Sequence, residues 1–198
     1  MTSRGSLVVL LHGVRASGRD LAPLAGELGK SLPQALLVAP DALPLSDDGA
    51  GRQWFSVANI THVDRPQRVA AARTDFDAVL AERLDHVGLA DQLDRVALVG
   101  FSQGAIMALD AMATGRWPVA AVVAFSGRLA SPGPLTPAPG ARALLVHGAA
   151  DPVIPMQETL DAAARLREAG VSVECHIEPG VGHSIPPAGV ALAGAFLA

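Results

Sequence analysis

The sequence is short of charge. Only 17% of its 198 residues are Asp, Glu, Lys or Arg, and Lys30 is the one lysine. The net charge is -4 and no block of like charges occurs. Nucleic-acid partners are therefore not expected, because such proteins carry a basic stripe. Cysteine is almost missing as well. Cys175 stands alone, which rules out an intrachain disulfide and suits a reducing compartment. Long apolar runs are also absent. No stretch approaches the ~20 residues of a membrane helix. The run Leu7–Leu11 is shorter than the ~7–15 residues of a signal peptide's apolar region, and it ends in His12-Gly13 rather than at a cleavage site. The expected protein is soluble and cytoplasmic, without stable membrane insertion. No internal repeat or domain boundary is visible, so residues 1–198 read as one domain.

Half of the residues are hydrophobic, enough for a sizeable core. Short β-branched or Leu-rich runs read as buried parallel strands: Ser6–Leu11, Ala35–Ala39, Val96–Val99, Val119–Phe125, Ala143–Val146 and Val171–Ile177. The last alternates polar and apolar residues, as an edge strand would. Helical spacing is clearest over Arg65–Val87. Asp20–Leu28, Gln103–Thr114, Pro155–Ala169 and Pro186–Leu197 are the other expected helices, with Pro155 and Pro186 in their first turns. Regular alternation of strand and helix predicts an α/β fold, a mostly parallel sheet of about six strands with helices on both faces. The expected strand order is second-first-third-fourth-fifth-sixth. Two long stretches, Asp41–Asp64 and Arg128–Gly140, carry no regular pattern; the second holds four prolines.

Chemistry concentrates at the ends of the strand candidates. Gly100-Phe101-Ser102-Gln103-Gly104 follows one strand and opens a helix, the context in which a G-x-S-x-G elbow presents a nucleophile. A serine hydroxyl needs a base to take its proton. Of six histidines, His183 is the candidate: it follows the last strand in a glycine-rich loop. His12 reads as a loop-shaping residue. His62, His86, His147 and His176 sit in a loop, late on a helix, at a strand end and on a strand's polar face. Asp151, beyond the strand Ala143–Val146, is the expected carboxylate that orients the base. The order Ser102, Asp151, His183 is that of α/β-hydrolases. An acyl-transfer site also needs donors for a developing oxyanion. The expected ones are the backbone N–H groups of Gln103 and Val14, with Val14 preferred to Arg15.

Five segments together, Leu11-His12-Gly13, Gly51-Arg52-Gln53-Trp54-Phe55, Gly100–Gly104, His147-Gly148 with Asp151-Pro152, and Gly182-His183, resemble the phospholipase/carboxylesterase family, which includes acyl-protein thioesterases. The resemblance spans residues 7–197. It implies a compact α/β-hydrolase fold without a cap domain, with Ser102, Asp151 and His183 as the triad and Val14 and Gln103 as oxyanion donors. It further implies Trp54 and Phe55 near an acyl pocket; Leu129 is expected to line the same cleft. One departure stands out. Members of this fold usually have antiparallel strands before the Leu-His-Gly strand, and here only Met1–Gly5 precede it. The second strand would then be an exposed edge, open to pairing in a homodimer. The expected activity is hydrolysis of short- to medium-chain carboxylic esters through an acyl-enzyme, with no metal or organic cofactor. The alternatives are acyl-protein thioesterase or lysophospholipase-like activity and, from another class, a slow-turnover ligand receptor. The expected partner is a small ester or thioester.

Overall fold

The computed structural model describes residues 6–198. Its centre is a sheet of six strands: β1 (Leu7–Leu11), β2 (Leu36–Val38), β3 (Val96–Phe101), β4 (Ala121–Phe125), β5 (Arg142–Gly148) and β6 (Ser172–Glu178). Every pairing is parallel, and the order is β2-β1-β3-β4-β5-β6, as the sequence predicts. Six helices cover it: α1 (Ala22–Ser31), α2 (Arg65–Ala71), α3 (Arg73–Val87), α4 (Gln103–Ala113), α5 (Met156–Glu168) and α6 (Pro187–Leu197). This is an α/β-hydrolase architecture without a cap domain.

The absence of polar alternation in the central strands follows from two-sided burial. In β1, Leu7, Val9 and Leu11 enter one core with Val69, Phe76, the apolar side chains of α4, and Ala162. Val8 and Leu10 enter the other, with Leu24 and Leu28 of α1 and Ala193 of α6. Each fully buried Val or Leu contributes about 1.5–3 kcal/mol of transfer free energy. The two ends of the sheet differ from its middle. Leu36 of β2 is half exposed, and the outward residues Ser172 and Glu174 of β6 meet solvent. The expectation about a missing leading hairpin concerns Met1–Gly5, which lie outside the described residues.

Several helix boundaries differ from the sequence reading. The pattern over Arg65–Val87 is two helices, divided at Ala72 (φ −76°, ψ −9°). The hydrogen-bond ladder still crosses that point, through Ala72 N to Arg68 O at 3.1 Å and Phe76 N to Ala72 O at 3.0 Å. The first expected helix begins instead as a 3₁₀ turn, Gly18–Leu21, and continues to Ser31. Pro155 and Pro186 stand one residue before α5 and α6, as caps, rather than within their first turns. Their fixed φ and missing N–H suit either place.

Candidate active site

β3 ends at Phe101 and α4 begins at Gln103, so Ser102 alone makes the turn. It adopts φ 52°, ψ −114°, a region that costs an L-residue about 1–3 kcal/mol. The flanking glycines are required by space. A Cβ on Gly100 would lie 2.4 Å from Ala105 N, and one on Gly104 would lie 2.1 Å from Leu11 O. The elbow is therefore wedged against the end of β1. Gly13 closes the arrangement: a Cβ there would lie 3.4 Å from Ser102 Cβ, so the loop after β1 runs beside the hydroxyl.

The histidine arrives from the far side of the sheet. After β6 the chain folds back on the end of β5, with Ala149 N donating to Glu178 O and Ala150 N to Val181 O, both at 2.9 Å. The two segments touch because residue 148 is glycine; its Cβ would sit 2.2 Å from Val181 O. His183 then spans the gap. Its Nε2 is 2.9 Å from Ser102 Oγ and its Nδ1 is 2.7 Å from Asp151 Oδ2. The Phe101 ring packs on the imidazole with centroids 5.0 Å apart. An ionised Asp151 can only accept, so it fixes the proton on Nδ1 and leaves Nε2 to accept from the serine.

Asp151 is itself closely held. Oδ1 accepts from Val153 N at 2.8 Å and Ile154 N at 2.9 Å. Burial pushes the carboxyl upward, but the hydrogen bonds from His183, Ile154 and Val153 outweigh it, and the group lies below the usual carboxylate range. A second imidazole also reaches it. His147 Nε2 lies 3.2 Å from Asp151 Oδ2 and 2.8 Å from Ile154 O. A carbonyl only accepts, so Nε2 carries a proton and donates to Ile154 O, with the Asp151 carboxylate beside it. From the sequence His147 reads as a strand-end residue. The one available signal was its spacing, four residues before Asp151.

Val14 and Gln103 lie at the two turns that meet at the serine. Neither amide has a protein acceptor among the described residues, whereas the Arg15 amide donates to Arg52 O at 2.8 Å. The Gln103 side chain does something the sequence did not show. Its Oε1 accepts from Trp54 N and its Nε2 donates to Phe55 O, each at 2.7 Å, tying the long loop 39–64 to the elbow. Trp54 donates from Nε1 to His12 O at 3.0 Å and stacks on that imidazole. Trp54, Phe55 and Leu129 are all buried in the core. His12 shapes its loop as expected: Nδ1 bonds Gly13 O at 2.7 Å and Nε2 accepts from Ala42 N at 3.0 Å. Burial pushes the pKa of His12 down, in keeping with a neutral ring. Among the described residues, no group of three His, Cys, Asp or Glu could hold a metal ion.

The family model described as phospholipase/carboxylesterase matches residues 2–198. This chain belongs to that family. Among phospholipase/carboxylesterase relatives, esterase YpfH of Escherichia coli K12 is 35% identical over 179 residues, 90% of this chain and 76% of that protein. An acyl-protein thioesterase 1 of Cryptococcus neoformans is 28% identical over 128 residues, 60% of this chain and 52% of that protein. Among solved structures, esterase PE8 superposes with a TM-score of 0.86 at 34% identity, covering 97% of this chain and 91% of that one.

Proposed function

We propose that this chain is a serine carboxylesterase working as a single domain, with Ser102 as nucleophile, His183 as general base and acid, and Asp151 as its orienting carboxylate. The observation that carries the reading is the unbroken line Ser102 Oγ, His183 Nε2, His183 Nδ1, Asp151 Oδ2, with both links under 3 Å. Ser102 Oγ bonds to the ester carbonyl carbon while its proton passes to His183 Nε2. The resulting oxyanion accepts from the free amides of Val14 and Gln103. The C–O bond of the tetrahedral intermediate then breaks, and the alcohol leaves with the proton from His183. Water, deprotonated by His183, attacks the acyl-enzyme and releases the acid and free Ser102.

Small-molecule esters of short to medium chain are the proposed substrates. Loops 39–64 and 126–141 contain no helix that could form an amphipathic lid. Asp47 instead ties the first loop to itself, accepting from Gln53 Nε2 at 2.9 Å, Val57 N at 2.9 Å and Ala58 N at 3.0 Å. The described residues hold no helix long and apolar enough to cross a membrane, and a cytoplasmic location is part of the proposal. A thioesterase reading draws on the relative of that name, and its chemistry would use the same residues. Matched oxygen esters and thioesters of graded acyl length, assayed through the micelle threshold, separate these readings. Saturating hydrolysis of oxygen esters with no jump at the threshold is expected. A sharp rise there would reveal a lid. Thioesters cleaved much faster than their oxygen counterparts would assign the chain to thioester hydrolysis.

A further inference from the structure

Three guanidinium groups face a small cleft on the rim of the sheet, with one carboxylate among them. The cleft, about 140 Å³, lies where the start of α2, the loop after β4 and the outer face of α5 meet. Arg65, Arg128 and Arg165 line it together with His62, Leu129 and Glu158. Arg165 spends two donors on loop carbonyls, Leu129 O at 3.1 Å and Ser131 O at 3.2 Å. Arg128 gives one donor to Glu158 at 2.8 Å. Its side chain is only 8% exposed, yet its buried Nε has no partner. Among the described residues the Arg65 side chain has no carboxylate partner, and its hydrogen-bond contact is His62 Nδ1 at 3.5 Å. The cleft thus carries a net charge near +2, three guanidinium groups against one carboxylate, and the sealed Arg128 Nε beside it lacks an acceptor. Burial, and then the charge of Arg65, push the Arg128 guanidinium down, and the charges of Glu158 and Asp151 oppose that shift. A buried donor without a partner is rare in native proteins, and a guanidinium fork matches the paired oxygens of a carboxylate or phosphate.

The volume limits the occupant. Pockets for whole drug-sized ligands run to about 300–1,000 Å³, so this one fits a head group. Its place is informative too. The loop begins directly after Phe125, whose carbonyl accepts the Ser102 amide at 2.9 Å. Gly127 O in the same loop receives Thr159 Oγ1 at 3.2 Å, and Thr159 contacts His147 at 2.7 Å. The loop that lines the cleft therefore starts at the elbow and is bonded to α5.

We propose that this cleft is a binding site for a small oxyanion, a carboxylate or phosphate group held by Arg128 and Arg65. On the esterase reading its occupant is the free acid end of a half-ester of a dicarboxylic acid. That second statement rests on the reading above; the anion site itself does not.

Inorganic phosphate is the probe for the site. Thermal midpoints are compared in phosphate and in chloride at equal ionic strength, for the wild type, Arg65→Gln and Glu158→Gln. The buried Arg128 is left intact because its replacement could disturb the fold. Phosphate should raise the midpoint of the wild type, the rise should vanish in Arg65→Gln, and it should grow in Glu158→Gln. No rise beyond chloride, or a rise unchanged in Arg65→Gln, would overturn the site. A second arm identifies the source of the anion. The 4-nitrophenyl half-ester of glutaric acid is compared with the neutral 4-nitrophenyl pentanoate. If the acid end of the substrate is the ligand, KM favours the half-ester by about tenfold, and the ratio falls toward one in Arg65→Gln. Phosphate binding without that preference supports the site as one for a free anion. Phosphate binding with no ester hydrolysis supports the site and overturns the esterase reading alone.

Discussion

His147 and His183 approach the same oxygen of Asp151, at 3.2 Å and 2.7 Å. His183 reaches the serine; His147 is sealed in the core, bonded to Thr159 and Ile154 O. Its role follows from that geometry: it fixes the turn at Ile154, whose N–H holds the carboxylate, and so acts through it as a positioning residue. Losing its bond to Ile154 O is worth about 0.5–1.5 kcal/mol, or roughly 2- to 10-fold in rate. His147→Gln should therefore lower kcat by that factor with KM little changed, measured beside a circular dichroism spectrum that reports an intact fold. Unchanged kcat with a lowered melting temperature would make His147 a core residue only. At this scale much was legible in the sequence. Ser102, Asp151 and His183 each stand just beyond a strand, and the backbone requires the glycines on either side of the first, Gly100 and Gly104. His147 and the side chain of Gln103 were not legible. Gln103 binds Trp54 and Phe55 across nearly 50 residues, and no local pattern encodes such a contact.

α4 carries the elbow at one end and is buried along its whole length. A helix apolar all round must lie between layers, yet α4 includes Asp110. That carboxylate is fully buried and accepts from Arg73 at 2.9 and 3.0 Å, Arg116 at 2.8 Å and Ser131 at 2.7 Å. The cluster ties α4 to α3 and to the loop after β4. Burial raises the pKa of Asp110, but the bonds from Arg73 and Ser131 and the charges of Arg73 and Arg116 outweigh it, so the pKa is lowered from 3.8. The unfolded chain then binds the proton more readily than the folded one. The stabilisation is complete above the unfolded value and is lost as pH falls through the lower folded one. Asp110→Asn should destabilise the protein by about 2–4 kcal/mol at neutral pH, because it leaves two guanidinium groups under-compensated. Urea unfolding at neutral and acid pH should also show a smaller loss of stability below about pH 4 in the variant. Equal acid sensitivity in both proteins would place the titrating group elsewhere. The division of the 65–87 pattern at Ala72 belongs to this scale too. Apolar spacing runs through it because Val69 and Phe76 both reach the core, and periodicity does not register one residue of opened ψ.

The whole molecule places its chemistry where a doubly wound sheet offers it. The strand order reverses at β1, between β2 and β3, and ligands favour the crevice at such a point. The loop after β1 carries Val14 there, and the turn after β3 carries Ser102. The turn after β5 and the loop after β6 add Asp151 and His183 along the same rim. The order of strands and this convergence followed from reading short apolar runs as parallel strands, since each parallel crossover returns the chain to the same edge. The charged rim cleft was not legible, because Arg65, Arg128 and Arg165 are brought together only by the fold. Among the described residues one other serine has a positive φ: Ser126, at φ 48°, follows β4 with its Oγ buried and unpartnered. The structure gives it no histidine. Reaction with an organophosphonate, mapped by mass spectrometry of the digested protein, separates the two. One adduct on Ser102 is expected, lost in Ser102→Ala while the fold persists. An adduct on Ser126 or Ser184, or labelling that survives in Ser102→Ala, would contradict the assignment of Ser102 as the nucleophile.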